Sequence, residues 1–91
     1  MTIMKIKDGY MLREVAGTPV VVAVGPAARG FNGMIRLNSS GAFLWRLLER
    51  GSAEAELAEE CATRYGLGRA EAAEHVAAFL ELLRKNGLID E

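Results

Sequence analysis

The hydrophobic positions change period near residue 38. Before it they alternate: Tyr10–Val15 and Val20–Val24 read as two strands, the second rich in β-branched residues. Ala16-Gly17-Thr18-Pro19 reads as the turn between them, with Pro19 at a strand entrance where its missing N–H is tolerated. Ile3, Lys5 and Lys7 alternate with Met4, Ile6 and Asp8, so this stretch either extends the first strand or lies as an ordered arm. Gly25-Pro26 closes the second strand, residues 25–32 form a loop, and Gly33–Leu37 is a short third strand.

Beyond residue 38 the period becomes helical. Asn38 or Ser39 caps a first helix from about Ser39 to Glu49, because their side-chain oxygens accept from free N–H groups of the first turn. Phe43, Leu44, Leu47 and Leu48 fall at helical spacing, and Gly51 ends the element. Ser52 is the expected cap of a second helix to about Tyr65, with Leu57, Cys61 and Tyr65 on one face. Gly66-Leu67-Gly68 breaks the chain before a third helix, Arg69–Asn86, whose core stripe is Ala72, Val76, Phe79, Leu80 and Leu83. Asn86-Gly87 followed by Leu88-Ile89 predicts a left-handed C-cap with a hydrophobic contact behind it. The pattern predicts an α+β fold: a three-stranded antiparallel sheet followed by three helices, winged helix-turn-helix-like. One domain covers residues 1–91, with strands within 3–37 and helices within 39–87.

Composition narrows the function classes. Ninety-one residues with 51% apolar side chains suffice for a single core, and 25% charged residues are ordinary for a soluble protein. One cysteine excludes an internal disulfide. The opening MTIMKIKDGYMLRE lacks the apolar core of a signal peptide, and no stretch approaches the ~20 apolar residues of a membrane span. The expectation is a soluble cytoplasmic protein without membrane partners. Net charge is −1, and acids gather at Glu49, Glu54, Glu56, Glu59 and Glu60. Nucleic-acid binders carry a basic face for phosphate neutralisation, and none is evident, so no nucleic-acid partner is expected.

Candidate chemistry is sparse. Cys61 lies on an apolar helix face and reads as a buried structural thiol. His75, the single histidine, reads as a helix-surface residue with no acid–base partner nearby in sequence. One Cys and one His do not make a metal site, and the glutamates of the second helix read as a solvated face. No Gly-rich loop ends in Lys-Ser/Thr, and Ser39 and Ser40 lack a nucleophile-elbow frame. No catalytic residue, cofactor or metal is expected, and the chain reads as no enzyme by itself.

A specific signal appears at Leu37-Asn38-Ser39-Ser40-Gly41-Ala42-Phe43-Leu44-Trp45-Arg46-Leu47-Leu48. It resembles the Leu-Asn-x-Ser/Thr-Gly/Ala-x-x-aliphatic-Trp-x-Leu-Leu signature of the PqqD-like proteins, the precursor-peptide recognition elements of ribosomally made, modified peptide pathways. The resemblance runs on through Tyr65-Gly66-Leu67, Val76, Phe79-Leu80, Leu83 and Gly87-Leu88-Ile89, and covers most of the chain from about Tyr10. His75 departs from it, since the family commonly has an acid before the valine of the third helix. The resemblance implies three antiparallel strands followed by three helices. It also implies a non-catalytic binding module: a precursor's leader adds as a further strand along the third strand, its side chains entering a groove against the third helix. The implied partners are that leader peptide and a tailoring enzyme, a radical S-adenosylmethionine enzyme being one class. A monomer or weak homodimer is expected.

The residues permit such binding. Gly33, Met34, Ile35, Arg36 and Leu37 form a short strand without proline, a candidate open edge. On the third helix, Leu82 falls beside the core stripe and either finishes a broad core face or, with His75, Ala78 and Phe79, forms a candidate groove wall. Arg36 alternates with Ile35 and Leu37 and reads either as a partner for an acidic leader residue or as an ordinary solvated arginine. The same pattern also admits a winged-helix DNA-binding or regulatory domain, or a homodimeric adaptor using the exposed edge.

Overall fold

A computed structural model describes residues 2–29 and 34–91. Its main sheet holds three antiparallel strands in the order β2-β3-β4, where β2 is Tyr10–Val15, β3 is Thr18–Ala23 and β4 is Ile35–Arg36. The helices are α1 (Ser39–Arg50), α2 (Glu54–Tyr65) and α3 (Arg69–Lys85). This is the α+β arrangement expected from the change of period.

A second, smaller sheet is the principal addition. β1 (Ile3–Ile6) runs between β5 (Ser52–Ala53) and β6 (Ile89–Asp90), antiparallel to both. The stretch left open in the sequence is therefore a strand of a separate sheet, not an extension of the first strand. β5 and β6 also lie outside the 3–37 window expected to hold the strands. Each has two residues, too few for alternation to show. β1 turns Met4 and Ile6 into the core and leaves Ile3 and Lys5 outside, which ties the ends of all three helices to the N-terminal segment. Burying two such side chains contributes about 3–6 kcal/mol relative to leaving them in water.

The β2–β3 turn is tighter than the four residues suggest. Val15 pairs with Thr18, and Ala16 and Gly17 both hold positive φ (51° and 81°), the left-handed pair of a two-residue hairpin whose twist suits the strands. Pro19 accordingly sits within β3, opposite Glu14. Its missing N–H does no harm there, because its carbonyl accepts from the Leu37 N–H at 2.9 Å and its nitrogen faces the end of the short β4. Residues Gly25–Arg29 form a short 3-10 helix inside the segment expected as a loop.

Asn38 is the α1 cap. Its Oδ1 accepts from the Gly41 N–H at 2.7 Å and from the Ser40 hydroxyl at 2.9 Å. Ser52 is not the α2 cap: Ala53 takes that position, and buried Ser52 lies in β5 with its hydroxyl donating to Glu56 at 2.8 Å. α3 ends as expected. Gly87 (φ 69°) donates to the Arg84 carbonyl at 3.1 Å and Leu88 to the Leu83 carbonyl at 2.9 Å, with Leu83 and Leu88 both buried. Arg84 closes the C-terminus through an exposed ion pair with Glu91 at 2.8 Å, and that hydrogen bond holds the Glu91 carboxyl below its ordinary range. Exposed pairs of this kind add little stability.

The core gathers between the sheets and helices around Trp45, Leu44, Leu48, Leu57, Val76, Leu80 and Leu83. Trp45 is fully buried and its indole Nε1 has no hydrogen-bond partner among the described residues, so the one tryptophan is a packing residue. Asn38→Ala should lower stability by about 1 kcal/mol in urea denaturation, whereas Asn38→Ser should keep most of it.

Candidate functional site

Among the described residues β4 pairs with β3 along one edge only. Val20 stands opposite Arg36 and Val21 opposite Ile35, and the Leu37 N–H donates to Pro19. Antiparallel pairs alternate between hydrogen-bonded and non-bonded residues. Leu37 and Ile35 therefore direct their backbone groups to β3, and Arg36 directs its N–H and C=O outward. This open edge borders a cleft of about 240 Å³.

Three elements wall the cleft. Arg36 and Leu37 come from β4 and its end, and Asn38, Ser40, Gly41 and Leu44 from the cap and first turns of α1. His75, Ala78, Phe79 and Leu82 come from α3, spaced i, i+3, i+4, i+7 so that they share one helix face. Phe79 is buried and Leu82 half-buried, while His75 and Ala78 are exposed. No β3 residue lines the cleft, which places it on the outward side of β4.

The α3 residues singled out in the sequence thus meet Arg36 and Leu37 around one space. Met34 and Ile35 do not line it: Met34 is exposed at 56%, and Ile35 packs half-buried on the core. Gly33 lies outside the described residues. Sequence reasoning missed Asn38, Ser40, Gly41 and Leu44. Their signal lies in the Leu-Asn-x-Ser-Gly run, which carries the family resemblance without itself placing these side chains around a cleft. Gly41 has a definite steric role. A Cβ there would stand 3.4 Å from Leu37 Cβ, 3.4 Å from Phe79 Cε1 and 3.1 Å from the capping Asn38 Oδ1. Only the distance to the cap is tight, those to Leu37 and Phe79 being ordinary van der Waals contact, so glycine here spares the Asn38 cap from crowding.

The chemistry of the cleft is that of recognition. Half its walls are apolar, and its charged groups are Arg36 and, when protonated, His75. Among the described residues no group of three or more His, Cys, Asp or Glu is placed to hold a metal ion. Cys61 does not line the cleft, and burial pushes its thiol pKa up, which suppresses the thiolate. Native protein should therefore react with a thiol reagent only as fast as it opens, with rapid labelling after denaturation. Immediate labelling in native buffer would place Cys61 at the surface.

The comparisons agree with this architecture. The family model described as coenzyme PQQ synthesis protein D (PqqD) matches residues 19–89. No curated protein matches the chain. Among solved structures, a lasso peptide synthetase B1 complexed with the leader peptide superposes with a TM-score of 0.76 at 19% identity, covering 97% of this chain and 98% of the other. TbiB1 in complex with the TbiA(beta) leader peptide gives 0.74 at 21% identity, covering 94% of each chain. At these identities the likeness is one of fold. No helix among the described residues is long and apolar enough to cross a membrane.

Proposed function

This chain belongs to the PqqD family, and on that footing we propose that it is a non-catalytic module that captures the leader of a ribosomal precursor peptide and presents it to a tailoring enzyme. The observation that carries this reading is the outward edge of β4 lying against an apolar face of α3 across one cleft. An extended peptide adds to that edge through Arg36 and sends alternate side chains between β4 and α3. Two solved proteins of the same fold are complexes with leader peptides, which supports the choice of ligand.

Magnitudes show what the cleft must contribute. The outward N–H and C=O of Arg36 give two backbone hydrogen bonds, roughly 1–3 kcal/mol before the peptide is ordered. A micromolar complex needs about 8 kcal/mol. The remainder comes from apolar burial of peptide side chains in the cleft, chiefly against Leu82 and the uncovered edge of Phe79, and the fixed junction of β4 with α1 lowers the ordering cost on the protein side. The DNA-binding alternative draws no support from α3, whose cleft face is His75, Ala78, Phe79 and Leu82 and whose Arg84 is paired with Glu91.

The test is fluorescence polarisation with labelled leader peptides from short reading frames beside the gene. Arg36→Pro removes the outward N–H while leaving the β3 pairing intact, and should weaken binding at least about tenfold beyond Arg36→Ala. Equal affinities for the two variants would exclude strand addition at β4. Leu82→Asp places a charge on the apolar wall and should reduce affinity about tenfold or more while leaving the circular dichroism spectrum unchanged. Unaltered affinity would remove α3 from the site.

A further inference from the structure

The polar groups of the cleft point to one feature of its ligand, an inference that rests on the peptide-binding reading. The Arg36 guanidinium makes no hydrogen bond or ion pair with any described residue, and neither does the His75 ring. No carboxylate lines the cleft: Glu71 and Glu74, the acids flanking His75 on α3, stand outside the lining. The Asn38 amide is oriented by its own bonds. Its Oδ1 is occupied by the Gly41 N–H and the Ser40 hydroxyl, so the group left for a ligand is the donating Nδ2. Ser40 has spent its proton on Asn38 and keeps only acceptor capacity, suited to a peptide N–H. The unspent donors are therefore the Arg36 guanidinium, the Asn38 amide and a ring N–H of His75, which a histidine carries in every protonation state.

We propose that the cleft selects an extended peptide bearing one acidic side chain, Asp or Glu, whose carboxylate seats against Arg36 beside the Asn38 amide. Arginine is permanently charged, and its planar fork matches a carboxylate. The carboxylate supplies the acceptor that this end of the cleft lacks, while the neighbouring alternate residues of the peptide meet Phe79 and Leu82. The backbone edge sets the peptide's direction of travel, and the Arg36 contact sets its register.

The test is selection from an mRNA-displayed library of random 15-residue peptides against the whole chain, run in parallel on the Arg36→Gln and Arg36→Lys variants. The wild-type protein should enrich peptides with one fixed Asp or Glu flanked by alternating apolar residues. Arg36→Gln should keep the apolar pattern and lose the acid, and Arg36→Lys should retain it in part. In an enriched peptide, replacing the acid by its amide should weaken binding about tenfold to the wild type and less than about twofold to Arg36→Gln. An apolar consensus without an acid, a basic consensus, or an acid that persists with Arg36→Gln would overturn the inference and leave peptide capture standing. Failure to enrich any peptide family would overturn peptide capture itself, and the inference with it.

Discussion

Two adjacent residues, Leu37 and Asn38, hold the sheet and the helices in one frame. The Leu37 N–H donates to Pro19 on β3, and the next side chain accepts the Gly41 N–H at the start of α1. No loop intervenes, so the direction of β4 and the axis of α1 are set by bonds three residues apart. α3 then packs over the same junction, with Phe79 close to the space that a Gly41 side chain would fill. Loosening this junction would let the open edge of β4 and the wall of α3 move independently. The cleft exists because they do not.

Much of this could be read from the residues. The change from alternating to helical period located the three helices and the main strands, because each of those elements buries one face and so imposes its own repeat on the sequence. The Asn38 cap and the left-handed Gly87 stop were legible because each rests on local backbone chemistry. The half of the cleft on α3 was legible for a similar reason: Leu82 widens the apolar arc beyond what one packing face needs. What escaped was non-local. β5 and β6 have two residues each and are strands only because β1 lies between them. Ser52 looked like a cap by residue type, but pairing with Met4 puts it in a strand and leaves Ala53 to start α2. Leu44 reads in the sequence only as part of the apolar helical stripe, because nothing in a single sequence tells which part of α1 faces a gap rather than a neighbour.

The site also shows why a two-residue strand suffices. A longer edge would offer more backbone bonds, but an exposed edge is a template for unwanted pairing with other chains. Here the edge is short, charged at Arg36 and bordered by a helix, so that backbone pairing succeeds only for a segment whose side chains also fit the cleft. On the proposed reading the larger share of the binding energy comes from side chains, and the backbone provides alignment. This division matches a module whose task is to hold one peptide and release its remaining length to an enzyme.

The central claim is that peptide adds at the outward face of β4, and the Arg36 amide reports on it directly. Amide hydrogen exchange of this protein by NMR, free and saturated with a peptide it binds, is the most direct measurement. The account predicts that the Arg36 N–H exchanges rapidly in the free protein and is strongly protected in the complex, while the Leu37 N–H, already bonded to Pro19, is protected in both. A saturated complex in which Arg36 exchanges as fast as in the free protein would contradict it.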